Sequence, residues 1–177
     1  PISLITAEEL AGQSTAALGG LPVGMPTDLV DVAIVNIVDA PIAQIRSITE
    51  IALDEGEIGE VVVSGPHVLK TYYKNEPAWQ RNKIIAGKTT WHRTGDSGFR
   101  KDGMLHLTGP CNRLIRRGGK IISPFLAEDE LKQLPDVNAG TILEINKEVV
   151  VVIEATGSQS GFTHRVTFPF DRIEFVN

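Results

Sequence analysis

The sequence contains little cysteine, and its histidines are scattered. The single cysteine, Cys111, excludes an internal disulfide, which is typical of a protein in a reducing compartment. We therefore expect a cytoplasmic protein. His67, His92, His106 and His164 do not stand at metal-ligand spacing from each other or from Cys111. A zinc site is not expected, and we predict no metal ligand in this chain.

The chain also lacks a basic excess and a long apolar run. It has 17 lysines and arginines against 22 acidic residues, a formal net charge of −5, which argues against a nucleic-acid partner. Apolar runs such as Val149–Ile153 are far too short to span a membrane, and we recognise no signal peptide. Because the chain begins with Pro1, in a strand-like run that starts abruptly, we expect a fragment of a longer protein.

The remaining composition is that of an ordinary globular protein. Apolar residues make up 42% and charged residues 22%, enough for one good core or two small ones. The pattern near the N-terminus predicts a capped helix over Ala7–Ala11 and a loop over Gln13–Gly24. Strands are predicted at Val30–Val38 and Glu60–Ser64. Ile42–Leu53 is ambiguous and is interpreted as a strand with an irregular insertion.

Local turn and cap signals define most of the later elements. Asn75 and Ser123 stand where helix caps are favoured, ahead of Ala78–Ile84 and of a helix that ends at Leu134. Two turn signals predict hairpins, one at Asp102-Gly103 and one at Asn146-Lys147. The predicted hairpin strands and the strand-like tail are Trp91–Thr94, Met104–Thr108, Thr141–Ile145, Val149–Ile153 and Arg165–Val176.

This order of elements predicts a β-rich α+β chain in two parts. Residues 1–109 are expected to form part of a β-barrel. Residues 110–113 form a short hinge, and residues 114–177 form a small, incomplete α+β domain. A hinge is favoured here because the connecting segment is short and flanked by glycines.

The most specific functional signal is a series of short motifs in a fixed order along the sequence, which we call the motif ladder. Its first motif is Thr94-Gly95-Asp96. A carboxylate at a strand end can accept two hydrogen bonds from a vicinal diol such as a ribose. Gly95 would let that ligand approach the backbone. Taken alone, the same tripeptide is more typical of an ordinary turn with a solvated aspartate.

The next step of the ladder is Arg117-Gly118-Gly119-Lys120. Exposed glycine amides and nearby cations could hold a phosphate-bearing ligand, although a solvated basic turn explains the same residues. Gly12–Gly24 lacks the Gly-Lys-Ser/Thr ending of a phosphate loop. No nucleophile with a neighbouring base is recognised, so no catalytic residue is predicted in this chain.

The ladder resembles the adenylate-forming enzymes, the acyl-CoA synthetases and their relatives. Four blocks lie in one order between about Gly19 and Leu134. They are Gly20-Leu21-Pro22-Val23-Gly24-Met25-Pro26, the Gly56–Gly65 stretch continued by Tyr72–Pro77, Trp91–Asp96 with Asp102-Gly103, and Asn112–Pro124. Within the family, Asp39-Ala40-Pro41-Ile42-Ala43 and the Trp91–Asp96 block look most like fatty-acid CoA ligases.

The resemblance implies a chemistry and a set of roles. These enzymes convert a carboxylate and ATP to an acyl-adenylate and pyrophosphate, and often transfer the acyl group to CoA. It implies a nucleotide site at Thr94, Gly95 and Asp96, with Asp96 on the ribose hydroxyls. It implies a hinge at Asn112 and Arg113 that lets the small domain swing.

The resemblance further places Arg117, Gly118, Gly119 and Lys120 on the loop that approaches the thiol acceptor. ATP and Mg²⁺ are the implied cofactors of the parent ligase, with CoA as an optional third, and none is expected to be held tightly by the fragment. The implied partners are these small molecules, a fatty acid and the remainder of the large domain.

Several positions depart from the family pattern. Pro110 stands where the family usually has an arginine that helps hold the nucleotide. Asn112 replaces the usual Asp or Lys pivot, and Arg113 follows where an acidic residue is usual. The phosphate loop and the Thr-Glu pair are absent from these residues, and the last lysine, Lys147, lies in a turn rather than at the catalytic position.

These departures lead us to expect an inactive fragment of an ATP-dependent ligase for a carboxylate, with a fatty acid favoured. The alternative is a non-enzymatic module derived from a ligase that binds a nucleotide or a partner. A second alternative is a small β-barrel interaction domain unrelated to ligases, which would have one continuous core across Gly109.

Overall fold

The structure is a computed structural model, and it describes residues 1–11, 13, 15–42, 44–156 and 165–176. Its helices are α1 (Ala7–Leu10), α2 (Thr15–Leu18), α3 (Glu76–Asn82) and α4 (Pro124–Lys132). Its strands are β1 (Ser3–Leu4), β2 (Leu21–Pro26), β3 (Asp31–Val35), β4 (Gly59–Ser64), β5 (Lys83–Ala86), β6 (Thr89–Lys101), β7 (Met104–Pro110), β8 (Ile115–Arg117), β9 (Lys120–Ile122), β10 (Val137–Ile145), β11 (Glu148–Ala155) and β12 (Arg172–Val176). Short 3₁₀ turns lie at Ile48–Glu50 and Cys111–Arg113.

The larger sheet is antiparallel and occupies the N-terminal two thirds of the chain. Its strand order is β1-β2-β7-β6-β4-β3, and β5 also pairs with β6. The long strand β6 is therefore the centre of the sheet, since it pairs with β4, β5 and β7. Within the described residues the sheet is open, with β1 and β3 at its edges. The predicted β-rich α+β class is confirmed. The described residues of the larger sheet form no closed barrel.

The C-terminal residues form a second, smaller unit. Strands β10, β11 and β12 make a sheet in which β12 runs parallel to β11, while β8 and β9 form a separate hairpin. Helix α4 packs on β10. Leu131 of this helix and Ile142, Val151 and Ile153 of the sheet are almost fully buried in one apolar cluster.

The apolar clusters follow the same division of the chain. Two clusters are made by residues between Ile2 and Leu107, around Trp91 and Leu105. A third is made by residues between Ile115 and Phe175. Burial of apolar surface stabilises each cluster separately.

The locally encoded turns and caps are confirmed. Asp102 and Gly103 have φ of 51° and 78°, and Asn146 and Lys147 have φ of 53° and 69°, as tight hairpins of this type require. The side chain of Asn75 accepts a hydrogen bond from the Ala78 amide at the start of α3. The equivalent caps are made by Thr6 at α1 and Ser123 at α4.

Three sequence-based expectations about elements are wrong. Ile42–Leu53, interpreted as an irregular strand, has no strand among its described residues and instead holds the 3₁₀ turn at Ile48–Glu50 and isolated bridges at Ile45 and Ala52. The predicted loop over Gln13–Gly24 contains α2 and the start of β2, because pairing of Leu21 with Leu107 in β7 outweighs the weak strand propensity of a proline- and glycine-rich segment. The predicted helix over Ala78–Ile84 ends at Asn82. The β-branched residues that follow enter β5, where Ile84 pairs with Trp91.

Candidate nucleotide-binding site

The Thr94-Gly95-Asp96 segment lies within β6 and is held by the Thr94 side chain. The Thr94 hydroxyl donates to the Val61 carbonyl at 2.8 Å and accepts from the Asp96 amide at 3.1 Å. Gly95 has φ of 78°, a left-handed conformation that strains other residues. Asp96 is exposed to solvent and lies opposite Pro110 of β7. The aspartate carboxylate is thus presented outward by a rigid strand.

A buried ion pair between Glu60 and Arg93 supports this segment from below. Glu60 Oε2 accepts from Arg93 Nε at 2.9 Å and from Arg93 Nη2 at 2.6 Å, and the two side chains are 3% and 8% exposed. The other carboxylate oxygen, Oε1, accepts from the Gly95 amide at 3.2 Å. The carboxylate of Glu60 therefore contacts the backbone next to Asp96.

Arg93 extends the network to neighbouring segments. Its guanidinium donates to the Val38 carbonyl at 2.5 Å, to the Ala40 carbonyl at 3.0 Å and to the Arg81 carbonyl at 3.3 Å. One side chain thus ties β6 to the segment after β3 and to the end of α3. Arg93 and Glu60 lie in two of the motif blocks, but their pairing is not evident from the sequence because 33 residues separate them.

A cavity of about 270 Å³ opens beside this network. Its lining includes Gly95 of the predicted nucleotide segment and Asn112 of the predicted hinge. Cys111, Glu60 and Arg93 also line it. The structure therefore brings these two predicted sites together at one surface.

Cys111 lies in this cavity as a protonated thiol. Burial, followed by the negative charges of Glu60 and Asp96, raises the pKa of the Cys111 thiol to about 12. A thiol with such a pKa is a poor nucleophile near neutral pH. Its environment gives no support for covalent catalysis at this position.

The predicted hinge, residues 110–113, begins at Pro110, the last residue of β7, and continues through the 3₁₀ turn at Cys111–Arg113. Asn112 and Arg113 are exposed and lie in the 3₁₀ turn. Arg113 donates to Glu128 of α4 at 3.1 Å, and the same carboxylate accepts from the Thr141 hydroxyl at 2.6 Å. Arg113 is thus held by the C-terminal unit, whereas Asn112 faces the cavity.

The predicted acceptor loop is a hairpin turn between β8 and β9. Gly118 and Gly119 have φ of 55° and 75°, so both positions are left-handed and favour glycine. Arg117 lines neither the first cavity nor the one beside Gly119, and it forms a two-pronged ion pair with Asp171, whose carboxylate also accepts from the Val149 amide at 2.8 Å. This arrangement lowers the pKa of Asp171 through its hydrogen bonds to Arg117 and Val149.

The rest of the acceptor loop lies near the first site. Gly119 and Lys120 line a second cavity of about 230 Å³ together with Asn36 and Ile37. Ile37 also lines the first cavity, and its carbonyl accepts from Arg116 at 3.1 Å. The four predicted loop residues are therefore divided: Arg117 contacts Asp171, Gly118 is exposed in the turn, and Gly119 and Lys120 lie beside the end of β3.

Further contacts join the two units near Gly109. The Ser123 hydroxyl donates to the Thr108 carbonyl at 2.5 Å while capping α4. A Cβ added to Gly109 would lie 2.7 Å from the Phe125 Cβ, so the absence of a side chain permits this close approach. Gly109 also has φ of 101°.

Among the described residues, no group of three or more His, Cys, Asp or Glu side chains is placed to hold a metal ion. These residues therefore offer no fitting ligand set for the implied Mg²⁺. Among the same residues, no helix is long and apolar enough to cross a membrane.

Comparison with known proteins shows similarity to CoA ligases in sequence. No protein-family model matches the chain. An oxalate–CoA ligase of Arabidopsis thaliana is 40% identical over 102 residues, which are 54% of this chain and 19% of that protein. A probable CoA ligase of Humulus lupulus is 46% identical over 83 residues, or 46% of this chain and 15% of that protein. The chain thus covers less than a fifth of these relatives.

The fold is similar to that of adenylate-forming enzymes of known structure. Unliganded O-succinylbenzoate coenzyme A synthetase from Bacillus subtilis matches with a TM-score of 0.72 and 21% identity, over 99% of this chain and 36% of that chain. The AMP complex of the same synthetase matches with a TM-score of 0.61 and 25% identity, over 81% of this chain and 28% of that chain. Together with the sequence matches, these similarities confirm the resemblance that the motif ladder predicts.

Proposed function

We propose that this chain, as the counterpart of the C-terminal portion of an adenylate-forming CoA ligase, supplies the ribose-binding carboxylate and the hinge of its parent enzyme. The observation that carries this proposal is the Glu60 carboxylate, which bonds the Gly95 amide at 3.2 Å beside the exposed Asp96. A buried ion pair beneath a left-handed glycine suits a carboxylate that must hold a fixed direction.

Asp96 accepts hydrogen bonds from the two ribose hydroxyls in this proposal. Two acceptor oxygens match a vicinal diol, and such charge-assisted bonds are stronger than neutral ones. Gly95 leaves open space above the strand, since an added Cβ meets no atom within 4 Å. A nucleotide can therefore lie close to the backbone at this point.

The segment 110–113 serves as the hinge between residues 1–109 and 114–177. Support comes from the separate apolar clusters on its two sides and from the 3₁₀ turn at Cys111–Arg113. Movement about Asn112 requires two hydrogen bonds to break, the exposed one from Arg116 to the Ile37 carbonyl and the buried one from Ser123 to the Thr108 carbonyl. Gly119 and Lys120 would then change their distance from the nucleotide segment.

The parent reaction is ATP-dependent ligation of a carboxylate to CoA, and we propose a fatty acid as that carboxylate. Support for the fatty acid is the Asp39–Ala43 motif, of which Ala43 lies outside the described residues. Curated relatives carry the names of other carboxylates, including oxalate and 2-succinylbenzoate. A cytoplasmic location is supported by the single cysteine.

The 177 residues alone are proposed to be inactive, because they contain no phosphate loop and no lysine after Lys147. Pyrophosphate release is to be measured with ATP and a panel of fatty acids and short dicarboxylates. We expect no turnover by the chain alone. Turnover with any acid would overturn this part of the proposal.

Binding by the isolated chain separates a retained nucleotide site from an unrelated fold. AMP titrated by calorimetry should bind the chain, and Asp96→Asn should weaken binding about 10- to 100-fold, the value of a charge-assisted hydrogen bond. Asp102→Asn is the matched control, because Asp102 lies in an exposed turn where asparagine is equally suited. Equal binding by all three proteins would contradict the role of Asp96.

A non-enzymatic module that binds a nucleotide or partner is the second candidate. Pro110 favours it, because Pro110 lies directly opposite Asp96 and brings no cation to the position where the family has arginine. The two candidates differ in one result. A longer protein containing this chain should release pyrophosphate if it is a ligase, and should bind AMP without turnover if it is such a module.

A further inference from the structure

Lys83 is a buried lysine that the proposed function does not use. It is the first residue of β5 and is only 3% exposed. Within the described part of the chain, no carboxylate, carbonyl or hydroxyl oxygen lies within ion-pair or hydrogen-bond distance of its ammonium. Its recorded contact is with the Tyr72 ring, whose centroid lies 5.1 Å from Nζ.

The Lys83 ammonium keeps some contact with solvent, since it is not among the fully buried polar atoms that lack a partner. The rest of the side chain is buried, and loss of part of the hydration shell without an anionic partner is unfavourable for an ammonium group. A cation–π contact with one tyrosine offsets part of the lost hydration. Burial lowers the pKa of Lys83, and its charge in turn lowers the pKa of His92, after the larger effect of burial on that ring. The charged form of Lys83 would be stabilised by an anion.

Lys83 lines a cavity of about 260 Å³, near the lower limit of roughly 300–1,000 Å³ for small-molecule sites. The other lining residues are mostly apolar: Pro41, Ile42, Trp79 and Ile85, with Gln44 and Gln80. One cation among apolar walls is the composition expected for a ligand with one negative group and an apolar body.

The walls of the cavity are held in place by hydrogen bonds. Trp79 Nε1 donates to the Lys70 carbonyl at 2.9 Å, which fixes the indole on α3. The Ile45 amide donates to the Ile85 carbonyl at 2.9 Å, which holds the segment beside β5. A site with fixed walls needs little ordering when a ligand binds.

We propose that the cavity at Lys83 binds a small organic carboxylate, with the carboxylate on the ammonium and the apolar body against Trp79 and Ile85. This site is separate from the nucleotide site, because the two cavities share no lining residue. They lie on either side of the end of α3, where Arg81 and Asn82 face one cavity and Gln80 and Lys83 face the other.

Benzoate is the probe for this site, because it combines one carboxylate with a compact apolar ring. It is titrated into the 177-residue chain, and binding is followed by NMR through the indole N–H of Trp79, with Trp91 as an internal reference. We expect a saturable shift at Trp79. Lys83→Met should weaken binding about 10- to 100-fold, as expected for loss of a charge-assisted bond, whereas the exposed Lys88→Met should leave it unchanged.

Two further measurements keep the proposal testable if Lys83→Met disturbs the fold. Benzoate should raise the pKa of Lys83, followed with isotope-labelled lysine, because an anion stabilises the charged ammonium. Benzyl alcohol, which lacks the charge, and inorganic phosphate, which lacks the apolar body, should each bind more weakly. No saturable benzoate shift, an unchanged lysine pKa, or phosphate binding as tightly as benzoate would overturn the proposal.

Discussion

Replacing Glu60 by alanine should destabilise the chain far more than replacing a surface glutamate. The change leaves Arg93 buried at 8% exposure without its carboxylate and leaves the Gly95 amide without its acceptor. Removing one partner of a buried ion pair costs about 3–5 kcal/mol. The Val38, Ala40 and Arg81 carbonyls still accept from the guanidinium, so we expect a loss at the lower end, about 3 kcal/mol.

Two comparison variants divide this effect into charge and shape. Glu60→Gln keeps an acceptor oxygen and most of the volume, so its loss should be about 1–2 kcal/mol. Glu128→Ala removes the partner of Arg113, and that pair is exposed at 51% and 23%. Exposed pairs contribute about 0–1 kcal/mol, and the hydrogen bond from the Thr141 hydroxyl adds about 1 kcal/mol, so Glu128→Ala should cost about 1–2 kcal/mol.

The assay is equilibrium unfolding in urea, with the free energy of unfolding taken by linear extrapolation at constant slope. A double-mutant cycle with Arg93→Ala then isolates the coupling between the two side chains. If Glu60→Ala costs no more than Glu128→Ala, the buried pair does not hold this part of the sheet. In that case the Glu60–Arg93 ion pair would not orient the segment that carries Asp96 either.

Two other predictions follow from the pKa shifts. Burial is the main cause of the pKa of about 12 at Cys111. At pH 8 a thiol reagent should therefore react with Cys111 at least about tenfold more slowly in the folded chain than in the urea-unfolded chain. Equal reaction rates would contradict this. Burial lowers the pKa of both His92 and His106 from the usual value of 6.5. As the pH falls below 6.5, the unfolded chain therefore binds more protons than the folded chain, and the free energy of unfolding decreases. Urea unfolding at pH 7.5 and 5.5 should show the loss, and His92→Gln with His106→Gln should reduce it; an unchanged difference would refute the assignment.

The features that the sequence predicts correctly are those encoded by neighbouring residues. Asp102-Gly103 determines its hairpin because the turn itself demands left-handed residues. Asn75 and Ser123 cap their helices through amides three residues ahead. The motif ladder predicts the resemblance to adenylate-forming enzymes, because the order and spacing of its motifs carry more information than any one motif.

The features that escape prediction depend on contacts between distant residues. Strand β2 is recognisable only through its pairing with β7, more than 80 residues later in the chain. The Glu60–Arg93 pair spans 33 residues and the Arg117–Asp171 pair spans 54. The position of Arg117 on Asp171 could not be inferred from a basic, glycine-containing turn.

The most direct test of the central claim compares AMP with 2′-deoxy-AMP on two forms of the chain. Removal of one ribose hydroxyl removes one of the two proposed bonds to Asp96. The wild-type chain should bind AMP about tenfold or more tightly than 2′-deoxy-AMP, whereas Asp96→Asn should bind the two nucleotides with nearly equal affinity. If the wild-type chain does not distinguish the nucleotides, or if Asp96→Asn distinguishes them equally well, Asp96 is not the ribose ligand.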